Sequence, residues 1–225
     1  MAHEMSDYAV GVRGHVSLWA NTSSIVQFLP VDLARFLDAN QAIKISLEER
    51  SSNEIVEALK SGKADLGVFA DNVPAHGVER RPYRQDELVL LVPRAHPLAN
   101  QETIGFAQTL DEDYVGLHAG SSLLARMTDA AFDAGRPLKV RIQMSSFDGI
   151  CRMIEAGLGI GILPSAAIRP ELVAAKLRMI KLTDPWATRV LWVGASDSAT
   201  SAPEVVRLFD FLSGESDARA TGASL

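Results

Sequence analysis

Apolar positions recur along this chain in two alternating periods. From Ile25 to Ala39 the residues Leu29, Leu33, Phe36 and Leu37 return at helical spacing, with Pro30 early enough to be tolerated. Ile43, Ile45 and Leu47 then alternate with Lys44, Ser46 and Glu48, which predicts a strand. Ser51 and Glu54 form a capping-box pattern ahead of Ile55, Val56 and Leu59, and Gly62 closes that helix. Short strands are predicted at 10–18, running into a polar loop at Asn21 to Ser24, and at Asp65 to Ala70. A loop follows at Pro74 to Arg81, and Glu87 to Val92 is a continuous apolar run of the kind covered on both faces.

The second half repeats this grammar. Strands are predicted at Tyr114–Leu117, Lys139–Met144, Ile160–Leu163, Leu177–Leu182 and Arg189–Val193. One helix follows Gly120-Ser121-Ser122 and ends at Gly135; the next opens at Ser145-Ser146 and ends at Gly157. A shorter helix covers 166–175, with Pro170 a candidate break, and a last one covers Pro203–Leu212. About ten strands and six or seven helices in alternation predict an α/β fold with mostly parallel sheets. A break near Pro82 favours two smaller sheets over one large one.

Composition narrows the function classes. The 225 residues are 47% hydrophobic and 22% charged, ordinary for a packed globular chain, and suffice for two lobes of about 100 residues each. The net charge of −6, with Lys and Arg scattered, argues against this segment binding nucleic acid itself. Cys151 is the one cysteine, which suits a reducing compartment. Met1 to Asp7 has no signal-peptide pattern, and no apolar run is long enough for a membrane span, so a cytoplasmic location is expected. The polar end after Ser213 is expected to be a tail.

Candidate chemistry lies in four hydroxyl pairs at helix starts: Ser23-Ser24, Ser51-Ser52, Ser121-Ser122 and Ser145-Ser146. A helix start offers unpaired N–H groups and partial positive charge, and a hydroxyl adds an adaptable donor. Several converging on the C-terminal ends of parallel strands would hold a carboxylate, sulfate or phosphate without Lys or Arg. Capping alone explains any single pair. Ser51 is the expected cap with Glu54, leaving Ser52 for a ligand.

Other signals carry less. Gly157, Gly159 and Gly161 follow a helix and precede a strand, the reverse of a dinucleotide fingerprint. His3, His15, His76, His96 and His118 lack metal-ligand spacing, and Ser121 sits in no nucleophile elbow. His118, Trp19, Trp186 and Arg13 fit structural or surface roles as well as a ligand role. No catalytic group, metal or cofactor is expected.

Ordered motifs add a resemblance. They are Leu29-Pro30 with its helix, the strand 43–49, the run from Glu57 to Val68 (EALKSGKADLGV) and the run from Asp86 to Val92 (DELVLLV). His96-Pro97-Leu98 and the run from Ile154 to Pro164 (IEAGLGIGILP) complete the set. Over roughly 10–212 the chain resembles the effector-binding domain of LysR-type transcriptional regulators. The resemblance implies two Rossmann-like lobes of the type 2 periplasmic-binding-protein kind, joined by two crossover strands. Lobe I would be 10–82 plus 184–212, lobe II 83–183, with 1–9 and 213–225 as tails.

It also implies an effector between the lobes, contacted by Thr22, Ser23, Ser24, Ser52, Ser121, Ser122 and Phe147, with Ser145-Ser146 as caps only. It further implies a homodimer using the helix from Pro30 to Ala39, a tetrameric full-length parent, and DNA contact only through a winged helix-turn-helix that this chain lacks. A transporter's solute-binding protein would share the fold, and an enzyme on a similar two-lobed fold is the third reading.

Overall fold

A computed structural model describes residues 14–197 and 201–214. The predicted strand start at 10–13, Arg13, His3 and the tail beyond 214 lie outside the described residues. Within them are ten strands and seven helices.

The chain divides into two units. The first comprises residues up to Arg84 and from Val190 onward, and the second Gln85–Arg189. The chain therefore passes from one unit to the other twice, within the long strand β4 (Glu79–Pro93) and within β10 (Thr188–Ala195). The loop expected at Pro74–Arg81 is shorter than predicted, because β4 already begins at Glu79 and runs through Pro82. Pro82 is exposed, a setting in which strand proline is tolerated.

In the first unit the strand order is β2 (Ile43–Glu49), β1 (Gly14–Ala20), β3 (Leu66–Ala70), β10. β1 lies parallel to β2 and β3, and β10 is antiparallel to β3. Alternation along β3 explains the layering. Leu66, Val68 and Ala70 join the core with Leu29 and Phe36 of helix α2 (Leu29–Ala39) and Leu208 of helix α7 (Pro203–Leu212). Phe69 points the other way, into a cluster with Ile55 and Leu59 of helix α3 (Ser52–Lys60). Gly67 shares that face because α3 packs so closely that a Cβ there would sit 2.4 Å from Ile55 Cγ2.

The predicted capping box holds α3 in place: Ser51 N–H donates to Glu54 Oε2 at 2.9 Å and Glu54 N–H to Ser51 Oγ at 3.4 Å. Asn21 to Ser24 is not the expected loop. A short helix α1 (Thr22–Gln27) starts there, and Phe28, at φ −123° and ψ −48°, separates it from α2.

In the second unit β4 is flanked by β8 (Gly161–Pro164) and β9 (Leu177–Leu182), both antiparallel to it, and β5 (Thr103–Ile104) is parallel to β9. The expectation of mostly parallel sheets fails here. A strand covered on both faces has the same apolar run in either direction, so its sequence does not encode its sense. β6 (Tyr114–Leu117) and β7 (Val140–Met144) form a separate parallel pair, and Tyr114 bridges to Ile160 just before β8. Helix α4 (Ser122–Asp133) follows β6 and helix α5 (Phe147–Glu155) follows β7. Pro170 opens helix α6 (Pro170–Ala175) rather than breaking a longer one, and Ser165–Ala167 is a separate single turn.

Two buried polar clusters stand out. In the first unit Tyr83 Oη donates to Asp32 Oδ2 at 2.6 Å, and Arg84 Nη2 donates to both oxygens of Asp32 at 2.8 and 2.9 Å. In the second, Arg189 donates through Nε and Nη2 to the two oxygens of Asp86 at 2.6 and 2.7 Å.

Candidate functional site

In the first unit, β1 and β2 end side by side, with Ala20 opposite Glu49. Asn21 follows one strand and Ser51 the other, so α1 and α3 begin together at the C-terminal edge of a parallel pair, where open α/β sheets bind ligands. The sequence-predicted residues Thr22, Ser23, Ser24 and Ser52 all lie at this edge. Their side chains are differently employed.

Thr22 Oγ1 donates to Glu49 Oε1 at 2.6 Å, tying the start of α1 to the end of β2. Ser23 is buried, and its carbonyl accepts from Gln27 Nε2 at 3.1 Å. Ser24 is fully buried, and its hydroxyl lies 2.9 Å from both Oδ1 and the carbonyl oxygen of Asn21. That hydroxyl is spent inside the turn. Ser52 Oγ accepts from Ala70 N–H at 3.2 Å and from Asn21 Nδ2 at 3.3 Å.

The cap of α1 is Asn21, not a serine pair: its Oδ1 accepts from Ser24 N–H at 3.0 Å. Asn21 was absent from the sequence-predicted set. Its signal was available, since Asn is among the strongest N-cap residues and Ser24 stands three positions on.

In the second unit the same rule places α4 and α5. β6 and β7 end in register at Leu117 and Met144, so both helices start at one edge. Ser121 Oγ caps α4 by accepting from Leu124 N–H at 3.2 Å, and Ser122 is the first helical residue, half-buried. The first turn of α4 carries no acidic residue. At α5, Ser146 is the cap, accepting from Gly149 N–H at 3.2 Å, which agrees with a capping role. Here Asp148 occupies the first turn and meets Arg152 and Arg169. The hydrogen bond from Arg152, foremost, holds the Asp148 carboxyl below its usual range. Phe147 is 2% exposed and belongs to the apolar core of this unit, with Ile150 and Ile154.

The remaining candidates have structural settings. His96 Nδ1 accepts from Leu98 N–H at 3.3 Å and caps the single turn after β4, while His118 is exposed. Trp186 stacks edge-on against Phe106 at 5.2 Å. Trp19 is buried between Arg50 and Lys63, each about 5 Å from its ring. Gly157, at φ +76°, directly follows the C-cap Ala156 and ends α5 as its left-handed glycine. Cys151 is buried in α5, and burial above all pushes its thiol up to about 11. A cavity of about 490 Å³ in the second unit, lined by His96, Asp111, Glu112, Asp113 and Arg141, includes none of the predicted site residues. Among the described residues no group of three His, Cys, Asp or Glu is placed to hold a metal, and no helix is long and apolar enough to cross a membrane.

The family profile of the LysR substrate binding domain matches residues 9–217. This chain belongs to that family. Effector-binding domains of LysR-type regulators share its fold, the type 2 periplasmic-binding-protein architecture. The regulatory domain of CcmR from Synechocystis PCC6803, solved with 2-phosphoglycolate, superposes with a TM-score of 0.80 at 20% identity, covering 90% of this chain and 97% of that one. The effector-binding domain of BenM with its effector benzoate gives 0.74 at 19% identity, covering 93% and 95%. That of QuiR with shikimate gives 0.76 at 19%, covering 88% and 95%.

Curated relatives are longer. The HTH-type transcriptional regulator YbhD of Escherichia coli (strain K12), itself named as uncharacterised, is 24% identical over 200 residues, 89% of this chain and 63% of its own. A probable RuBisCO transcriptional regulator of Synechocystis sp. (strain ATCC 27184 / PCC 6803 / Kazusa) is 26% identical over 187 residues, 80% of this chain and 54% of its own. The LysR-family domain thus spans about three-fifths or less of these two relatives, which are regulators, not enzymes.

Proposed function

We propose that this LysR effector-binding domain senses a small anionic molecule, held by hydroxyls and helix starts rather than by Lys or Arg. The observation that carries this reading is the composition of the helix starts at the ends of the parallel strands. Ser52 and Ser23 stand at such an edge in the first unit, and Ser121 and Ser122 at one in the second. The twelve-residue helix α4 starts at two hydroxyls with no acidic residue in its first turn, where the helix dipole favours an anion. The three acids bound by the structural relatives, 2-phosphoglycolate, benzoate and shikimate, supply acceptor groups of the kind such an edge would hold.

In this reading Ser23, Ser52, Ser121 and Ser122 contact the ligand. Thr22 and Ser24 order the first edge, and Phe147 supports the second from the core. Binding shifts the domain between conformational states by the ligand's differential affinity for them. In the full-length regulator that change reaches DNA through a separate helix-turn-helix, in the cytoplasm. A homodimer pairing the α2 region with a second copy accounts for Val31 of α2, 64% exposed, and Val26 of α1, 49% exposed. A tetramer is the corresponding full-length assembly.

Calorimetry with the three acids, sulfate and phosphate tests the reading. Ser23→Ala and Ser52→Ala each weaken the best binder by roughly 1–3 kcal/mol, as expected for a hydrogen bond to a charged group. Unchanged affinity in both variants refutes the site.

A further inference from the structure

The indole N–H of Trp19 is buried and meets no hydrogen-bond acceptor among the described residues, and the residue as a whole is 5% exposed. Buried donors are nearly always paired, so an orphan of this kind points to a partner from outside the chain. Trp19 borders a cavity of about 260 Å³ in the first unit, together with Arg50, Lys63 and the stripe of α3 that carries Glu54, Glu57 and Ser61.

Local structure brings two cations to this ring. Arg50 directly follows β2, and its N–H donates to Ala20 O at 3.0 Å, next to Trp19 in the chain. Lys63 follows a Schellman turn at the end of α3. Gly62 takes φ +69°, Gly62 N–H donates to Leu59 O at 3.2 Å, and Lys63 N–H donates to Ala58 O at 2.8 Å. Arg50 Cζ and Lys63 Nζ come to 5.1 and 5.0 Å from the centre of the indole. Both side chains are exposed, and exposed side chains change rotamer within nanoseconds, so they can part from the indole without backbone movement.

The carboxylates at the cavity are engaged by other partners. Glu54 Oε2 accepts from the N–H and the hydroxyl of Ser51 at 2.9 and 2.6 Å, and Glu57 Oε1 meets Lys60 Nζ at 2.9 Å. Arg50 donates to Glu48 Oε2 at 2.6 Å and to Glu49 O at 3.0 Å, which uses two of the five N–H donors of a guanidinium. Lys63 pairs with no carboxylate among the described residues. The cavity therefore offers an indole N–H, an ammonium and the remainder of a guanidinium, none of which can accept a hydrogen bond.

We propose that this cavity is a second ligand site, for a small oxyanion that accepts from Trp19 Nε1–H and lies against Lys63 and Arg50. It is distinct from the proposed effector edge: at 3.6 residues per turn, Ser52 projects roughly opposite to the stripe of Glu54, Glu57 and Ser61. Phosphate, sulfate and carboxylate share the required chemistry, and separate titrations distinguish them.

The protein has three tryptophans, so a proton–nitrogen correlation spectrum of the nitrogen-15-labelled chain carries three indole N–H signals. Inorganic phosphate, sulfate and acetate are each titrated in at constant ionic strength. The expected result is a saturable shift of the Trp19 signal with at least one of these anions. Trp19→Phe keeps an aromatic ring and identifies that signal by its loss. Lys63→Gln, an exposed change, weakens the binding about tenfold. Ser52→Ala leaves it within about twofold, and thermal unfolding checks that each variant folds. A Trp19 signal that stays in place with all three anions, or drifts without saturating, overturns the proposal. So does a shift whose affinity Lys63→Gln leaves unchanged. Loss of the shift in Ser52→Ala assigns it to the effector edge, which overturns the second site and leaves the effector reading intact.

Discussion

Removing one partner of the Asp86–Arg189 pair should be among the most damaging single changes in the second unit. Their side chains are 3% and 1% exposed, and the guanidinium meets the carboxylate through two bonds of 2.6 and 2.7 Å. Surface ion pairs contribute little, because water solvates each ion when the other leaves. Here Arg189→Met leaves the Asp86 carboxylate in the interior with its two charge-assisted donors gone. Asp86→Leu strands the guanidinium in the same way. An orphaned buried charge costs about 3–5 kcal/mol. For a chain of this length each kcal/mol lowers the midpoint by roughly 2–4 °C, so each single variant should melt on the order of 10 °C below wild type.

The double variant Asp86→Leu/Arg189→Met removes both charges along with the cost of desolvating them. It should recover much of the loss, since apolar replacement of a buried pair is often nearly neutral. Thermal and urea unfolding followed by circular dichroism at neutral pH give all three values. Single variants within about 1 kcal/mol of wild type, or a double variant no better than the worse single, would refute the reasoning.

The remaining predictions concern titration and packing. Burial, reinforced for Tyr83 by its bond to Asp32, raises the pKa of Tyr83 and Tyr114 above the ordinary 10.0. The folded protein therefore keeps protons that the unfolded chain releases near pH 10. The stabilisation is complete below that pH and is lost as pH rises further. Tyrosinate absorbance should accordingly show two of the three tyrosines ionising only as the protein unfolds, and free titration of all three in the native state would contradict this. Cys151, raised from 9.0 to about 11, should react with a thiol reagent near pH 8 about a hundredfold more slowly in the native protein than in urea, and equal rates would refute its burial. Gly67→Ala should destabilise by about 1–3 kcal/mol in urea unfolding, because the added Cβ drives into Ile55, and a neutral result would mean that α3 shifts freely.

What was legible in the sequence follows from the range of the interactions involved. The α3 start was readable because Ser51 and Glu54 satisfy each other within one turn. The amphipathic helix α2 and the alternating strand β2 were readable because their periods are local. The direction of β8 and β9 was not, since pairing with β4 joins residues seventy or more positions apart. Pro170 looked like a break inside a helix, although proline suits the first turn equally well, and only the neighbouring fold decides. At the site, hydroxyls at helix starts were visible, whereas their allocation was not. Ser24 spends its hydroxyl on Asn21, and Phe147 enters the core, because of what the adjoining strands place beside them. Asn21 looked like one more polar loop residue because its second bond reaches Ser52, thirty-one positions away.

The first unit is discontinuous in the chain, and the second is not. During synthesis every residue of the second unit has been made by Arg189. At that stage β3 has β1 on one side but lacks β10 on the other, since Leu191–Ala195 is the segment that pairs with Leu66–Ala70. All five residues of β3 are buried in the finished sheet, so its unpaired edge is apolar as well as open, the kind of strand that recruits wrong partners. The second unit can therefore mature first, while the first waits for the residues after Arg189 to emerge from the ribosome. A stall or stop shortly after Arg189 leaves β3 without its β10 partner, which makes this junction an aggregation hazard in the protein's biosynthesis.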